Sequence, residues 1–395
     1  MVSLTFDISE YLLLLVTAVL VYTSTKVIYR LYFSPLAGFP GPRLAAATSL
    51  YEAYFDIVKG GKFMFELERL HDKYGSILRI NPREIHIMDP SFYDTVYGGP
   101  LNKRDRLPSF IQNGLPLTTF ETAPHGLHRK RRKLLSPFLS TQSVTALQPV
   151  IEERLDLVCS HLSGRVGTGE VLDLHSLFAS FAADVMSTYI LGPAYSYAYL
   201  DKAEITDEWK TNVNSIFEVL IQLRHIPFIF RPARKFPKIA AWLFPDFSGV
   251  HQFDKKTREG VKAVNYLPKE KEFDRLDNEL HFLIFAATDA PSQVMAITLF
   301  HLLWNPETYQ KLKDELDEAF PVLSEADWTK LKSLPYLAAV VKEGLRLSAV
   351  VTSRLPRIAP DEALQYEKWT IPPGTPVAMT IHSVLRSPEV CTEPM

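Results

Sequence analysis

The chain has 395 residues, 47% hydrophobic and 22% charged, the composition of a globular protein rather than of a disordered or fibrous one. A formal net charge of −2 gives no electrostatic reason to expect a nucleic-acid partner. The two cysteines, Cys159 and Cys391, are far apart and in no repeated spacing. They exclude a disulfide framework and a cysteine-rich zinc site, and they suit a reducing compartment; no metal ligands are assigned.

Tyr11 to Thr25 carries no charge and is strongly apolar. Continued past Lys26, whose stem can snorkel, to Tyr29, it is long enough to cross a bilayer. A cleaved signal peptide would want basic residues before the apolar run. Here Asp7 and Glu10 precede it and Lys26 and Arg30 follow, which favours an uncleaved anchor with everything after Arg30 in the cytosol. Residues 1–33 therefore read as a membrane anchor. Residues 34–44, with Pro35, Pro40, Gly41 and Pro42, read as a stiff, non-helical hinge.

The body, 45–395, reads as mainly α with a small β-sheet, in one unit. Phe65 to Tyr74 is amphipathic and stops at Gly75. "SILRINPREIHIMDP" reads as two short strands about Asn81 and Pro82, closed by Asp89 and Pro90. Helical spacing returns over Leu127 to Leu139, Val144 to Leu162 and Asp173 to Leu191, the last stopped by Gly192 and Pro193. Residues 224–247, crowded with Phe, Pro, Arg and Trp, read as irregular, either at a membrane surface or as a packed loop. Glu279 to Leu303 is the longest apolar-rich helical stretch, continuing past Asn305 and Pro306 into an amphipathic helix, Glu307 to Phe320. "SEADW" at Ser324 has the look of a capped helix start, and Pro335 opens a further helix, Tyr336 to Leu347. Beyond Arg357, "YEKWTIPPGTPVAM" reads as two extended pieces about Pro372, Pro373 and Gly374.

Glu343 and Arg346 stand three apart on a helix, so their side chains meet. Alone, such a pair is most often an exposed ion pair. Its context, "VVKEGLRLSAVVTSRLPRIAPDEALQY" followed by "IPPGTPV", is similar almost position by position to the ExxR region of fungal cytochrome P450 enzymes, of the trichodiene-oxygenase-like group. The resemblance extends over nearly the whole chain after the anchor.

That resemblance implies a cytochrome P450 fold, haem as cofactor, and a haem-thiolate monooxygenase of fungal secondary metabolism. It would oxidise an apolar terpenoid or polyketide metabolite with electrons from NADPH–cytochrome P450 reductase, at the endoplasmic reticulum membrane. In the family the ExxR pair is buried and completed by a second arginine nearer the C-terminus. Arg357, in "RLPR", matches the arginine that pairs with a haem propionate, a contact suited to a guanidinium; the plain alternative is a surface arginine. Arg354 is the lesser candidate, with substrate-pocket packing as its other role.

The run "HGLHRKRRKLL" resembles the WxxxR helix, with His128 at the tryptophan position and Arg132 at the arginine position, both toward haem propionates. Arg129, Lys130, Arg131 and Lys133 spread over other faces, as reductase-docking charges or a solvated helix. "LIFAATDAPSQ" is similar to the oxygen-activating [AG]GxDTT helix. There Asp289 is the expected catalytic acid, Ala290 stands at the usual threonine, Pro291 should kink the helix, and Ser292 is a partial substitute.

A short stretch between His251 and Asp277, where family members carry more, suggests a lost piece. No FxxGxRxCxG loop, the source of the thiolate, occurs in the 395 residues. Cys391 lies in "SPEVCTEPM", which matches a stretch before that loop, and Cys159 reads as a packing residue. The expectation is a chain cut short before the ligand loop, not binding haem stably and inactive as given. The alternative function is a non-catalytic, membrane-tethered remnant or binding protein.

Overall fold

The computed structural model describes residues 8–99, 102–111, 115, 117–226, 257–263, 270–322 and 326–391. Two compact units emerge from one chain: residues 1–107 with 353–395, and residues 108–352. The sequence reads as a single body, but each unit has apolar clusters of its own.

The first unit opens with α1, Ile8–Ile28, most of whose apolar side chains are exposed. With the π-turn Tyr29–Phe33 it makes a 25-residue apolar stretch, Ser9–Phe33, long enough to cross a membrane. Two short helices follow, α2 (Arg43–Ala47) and α3 (Leu50–Ala53), the second running straight into π-helical Tyr54–Val58. Helix α4, Phe63–Tyr74, ends where Gly75 takes φ 97°, a conformation that costs glycine nothing.

Around Asn81 and Pro82, β1 (Ile77–Arg79) and β2 (Ile85–Ile87) pair antiparallel, with all six residues buried. Asp89 then caps a 3-10 turn leading into α5, Tyr93–Tyr97. From the other end of the chain, β4 (Arg357–Ile358) and β7 (Pro376–Ala378) complete the sheet. With β3, Asp105–Arg106, its order is β1-β2-β7-β4-β3, and only the β2–β7 pairing is parallel. A separate hairpin joins β5, Leu364–Tyr366, to β6, Trp369–Ile371. The sheet buries Ile77, Ile85, Ile87, Val377 and Met379 in one cluster.

The second unit is helical. It contains α6 (His125–Leu135), α7 (Thr141–Ala146), α8 (Gln148–Ser163), α9 (Leu174–Leu191) and α10 (Glu208–His225). Helix α11, Glu270–Trp304, has 35 residues and is followed by α12 (Pro306–Ala319), α13 (Trp328–Ser333) and α14 (Pro335–Ser348). Helices α9 and α11 are also long and apolar enough to cross a membrane. They meet instead through Ala179, Ala183 and Ile284 in a shared cluster. Pro291 does not break α11. It deprives the Ala287 carbonyl of its usual donor, yet helix continues for more than two turns on either side.

Helix α11 does not run on into α12, because Asn305 leaves the helical region and accepts from Thr308 N at 3.4 Å, starting a new helix with Pro306 at its first position. The start of α13 is capped by Asp327, whose carboxylate accepts from Lys330 N at 3.0 Å; Ser324 lies outside the described residues. So do most of 224–247 and much of the stretch between His251 and Asp277.

Candidate functional site

In the first unit, the register of β3 and β4 sets Arg106 directly opposite Arg357, which puts both side chains on one face of the pair. Both are part-buried, and burial followed by the charge of its neighbour lowers Arg106 to about 10. Burial likewise lowers Arg357. Its guanidinium lies 5.3 Å from the Tyr97 ring centroid and donates only to the Leu355 and Pro356 carbonyls, each at 3.3 Å. Among the described residues Arg357 meets no carboxylate. Two desolvated cations side by side make each other harder to keep charged. The sequence analysis names Arg357 and not Arg106, which lies in the basic run "KRDR".

Arg354 is not a pocket residue. It is buried, donating from Nε to Glu84 at 2.6 Å and from Nη2 to Glu52 at 2.5 Å and to Glu84 at 3.1 Å. Asn81 Nδ2 donates to Glu52 at 3.1 Å and to Glu84 at 3.0 Å. Glu84 sits at the start of β2 and Glu52 on α3, so this network ties the N-terminal helices to the residues entering β4. The two carboxylates raise Arg354 despite full burial. Beside it, His71 Nδ1 donates to the Gly75 carbonyl at 2.7 Å. That obligate acceptor fixes the tautomers: His86 Nδ1 donates to His71 Nε2 at 2.7 Å, and Thr380 Oγ1 donates to His86 Nε2 at 2.9 Å.

In the second unit, Glu343 and Arg346 do come together, in a bidentate pair at 2.7 and 2.6 Å. The arginine side chain is 11% exposed and the glutamate side chain 52%, so the carboxylate is not buried as the resemblance implies. On α6, His128 is half-buried and Arg132 exposed. The arginine that turns inward is Arg131, donating to Thr122 Oγ1 at 2.5 Å. The sequence places it on another face of the helix than His128 and Arg132. Thr119 donates to Glu279 of α11 from both N and Oγ1, at 2.7 and 3.0 Å. This threonine cluster joins α11 to the segment before α6, and no motif announced it.

Asp289 is buried, and burial raises its carboxyl against the pull of Gln293 and His175. Its Oδ2 accepts from Gln293 Nε2 at 2.9 Å. Ser292 is fully buried; its hydroxyl donates to the Asp289 carbonyl at 2.8 Å and lies 3.3 Å from His175 Nε2 on α9. The substitute for the missing threonine is thus engaged toward α9. Thr288 Oγ1 is buried with no hydrogen-bond partner among the described residues.

An N-terminal apolar helix, a mostly helical unit with a 35-residue helix and a unit built on a small mixed sheet define a membrane-anchored-type α+β scaffold. The sequence profile of the family described as Cytochrome P450 matches residues 42–395. The chain belongs to the cytochrome P450 family. It is 35% identical to a conidiogenone synthase, PchP450, of Penicillium rubens, over 93% of this chain and 78% of that protein. It is equally 35% identical to the cytochrome P450 monooxygenase aflU of Aspergillus parasiticus, over 95% and 79%. Against tndB of Aspergillus flavipes, also a cytochrome P450 monooxygenase, identity is 34% over 95% and 86%.

The family implies haem, and the donor set fits it in part. Of the arginines the resemblance names for the propionates, Arg357 is part-buried and meets no carboxylate among the described residues, while Arg132 is exposed. Neither cysteine has the Gly-rich loop around it that holds a thiolate ligand, so no iron-centred step is assigned to these residues.

Proposed function

We propose that this chain derives from a membrane-anchored monooxygenase that inserts one oxygen atom into an apolar metabolite of the terpenoid or polyketide class. The observation that carries the reading is the family match over residues 42–395; the metabolite class rests on the resemblance and on relatives such as the conidiogenone synthase. When bound with its thiolate, haem supplies activated oxygen. Of this chain's own residues, Arg357, His128 and Arg132 are proposed to hold the propionates, and Asp289 to carry a proton. Glu343 and Arg346 are proposed to be structural. Electrons would come from NADPH–cytochrome P450 reductase, with the body on the cytosolic side of the endoplasmic reticulum.

These 395 residues contain no FxxGxRxCxG segment, and we propose that by themselves they hold no haem-thiolate and act at most as a membrane-tethered binding protein. The test is a reduced carbon-monoxide difference spectrum of the expressed chain. No thiolate-type Soret band is expected, and its appearance overturns this part of the proposal. An in-frame ligand loop in the transcript beyond the codon for Met395, with a thiolate-type band when that sequence is included, supports the monooxygenase reading. Loss of that band in Arg357→Ala, with the fold retained by circular dichroism, would support the propionate role.

A further inference from the structure

Asp184 of α9 and Asp289 of α11 are both buried, but they are held in different ways. Asp184 accepts from Tyr199 N at 2.8 Å on one carboxylate oxygen and from Leu200 N at 2.9 Å on the other. Both donors are backbone N–H groups, so that carboxylate is fixed in a structural role. Asp289 has one donor to its carboxyl among the described residues, the Gln293 side chain, on Oδ2 at 2.9 Å. Burial raises both carboxyls, yet only Asp289 keeps an oxygen, Oδ1, that no described donor occupies.

A buried acid that carries a proton needs a chain of donors and acceptors to water. On its own helix, Ala290 offers no hydroxyl, and Thr288 Oγ1 is buried with no hydrogen-bond partner among the described residues. Ser292 differs. Its hydroxyl donates to the Asp289 carbonyl at 2.8 Å, an obligate acceptor, so its oxygen accepts across the 3.3 Å to His175 Nε2. The ring therefore carries its proton on Nε2. His175 is half-buried, and its Nδ1 is bonded to none of the described residues. One ring nitrogen is engaged inward by the serine and the other is left open.

The position of that ring is fixed from its own backbone. Asp173, the N-cap of α9, accepts from His175 N at 2.9 Å with Oδ1, and its Oδ2 accepts from Lys210 Nζ of α10 at 3.0 Å. Asp289 in turn feels the charge of His175, which pulls its carboxyl down against burial. The imidazole, the serine and the acid thus form one cluster across the α9–α11 contact, and its outer end is the histidine.

We infer that His175 is the entry of a proton path to Asp289, with Ser292 as the link between α9 and α11; this rests on the reading of Asp289 as a proton carrier. A proton from water adds to His175 Nδ1, and the imidazolium passes its Nε2 proton to Ser292 Oγ. The serine hydroxyl, turned from the Asp289 carbonyl to the carboxylate of the same residue, gives up its own proton there. One proton enters, one reaches the acid, and no electrons move. The ring is left neutral in its other tautomer, which exchange with water resets.

The test follows the proton on Asp289 in the full chain in lipid nanodiscs, and it needs no haem. The infrared carbonyl band of a protonated carboxyl that disappears in Asp289→Asn identifies the group. Its shift after rapid mixing into deuterated buffer gives the rate of proton exchange. His175→Phe and Ser292→Ala should each slow that exchange several-fold, and the double variant no more than the slower single one, because the two act in series. Thr288→Val should leave it unchanged. Exchange at the unaltered rate in either His175→Phe or Ser292→Ala overturns the inference and leaves the Asp289 reading standing. So does slowing that appears with Thr288→Val instead, or that merely follows slower exchange of the α9 and α11 backbone amides, which would mean a tighter helix pair. Absence of any Asp289 band across the pH range in which the chain stays folded would sink the proton-carrier reading and the inference with it.

Discussion

Arg354 stands 270 residues from one of its carboxylate partners and 302 from the other, and its removal would leave two buried acids without their cation. Taking one member from such a network costs about 3–5 kcal/mol. Arg354→Met is expected to lower stability by that order in urea unfolding. Adding Glu52→Gln and Glu84→Gln should recover a large part of the loss, since the unpaired charges go with the cation.

The imidazoles beside it make a pH statement. Burial lowers His71 from 6.5 to about 4, and His86 is also pushed well down, by burial and then by the neighbouring His71 and Arg354 charges. The folded state keeps these rings neutral while the unfolded chain protonates them. Their contribution is therefore complete above pH 6.5 and is lost as pH falls toward 4, with a slope for one such ring of up to about 1.4 kcal/mol per pH unit. Urea midpoints between pH 7 and 4 should show that decline, and His71→Gln should flatten it.

Among the elements, the contact of α11 with α14 depends on Gly344. A Cβ there would come 1.9 Å from Thr298 Oγ1 and 3.0 Å from Thr298 Cβ. Alanine would gain up to about 1 kcal/mol in helix propensity, against an overpacking cost of about 1–3 kcal/mol. Gly344→Ala is expected to destabilise on balance, because the obstructing Cβ is fixed to the α11 backbone. Thr298→Ala in the same chain removes the closest atom, so the double variant should lose less than half as much; thermal melts of the four chains close the cycle. The glycine in "KEGLRL" was plain in the sequence between Glu343 and Arg346, but the reason for it lies on another helix. Helix boundaries carried by local chemistry were legible, as at Gly75, Asp173 and Pro335. The break at Asn305 was legible only as a weakness, since its side chain decides the matter by accepting from Thr308 N.

Across the first unit, the proline-rich segment 34–44 is part of the fold rather than a tether. A chain shortened to begin at residue 29 keeps Arg30, Ser34 and Leu36, which accept from Arg79. One beginning at residue 37 leaves that buried guanidinium with the Pro82 carbonyl alone among these acceptors. The shorter chain should be less stable by about 1–3 kcal/mol, the cost of a buried donor left unmatched, as read by thermal denaturation of both. Sequence composition marked residues 34–44 as stiff for its prolines. It held no sign that Arg79, forty residues on, is what holds them.

The sequence by itself determined the family, the apolar N-terminal helix, the order of most helices and strands, and the pairing of Glu343 with Arg346, because each depends on residues near in the chain. The tertiary structure decided which charges are buried. It turned Arg131 inward rather than Arg132, set Arg106 against Arg357, committed Ser292 to Asp289 and α9, and gave Arg354 to Glu52 and Glu84. Burial is a property of what packs over a side chain from hundreds of residues away, and no local pattern encodes it.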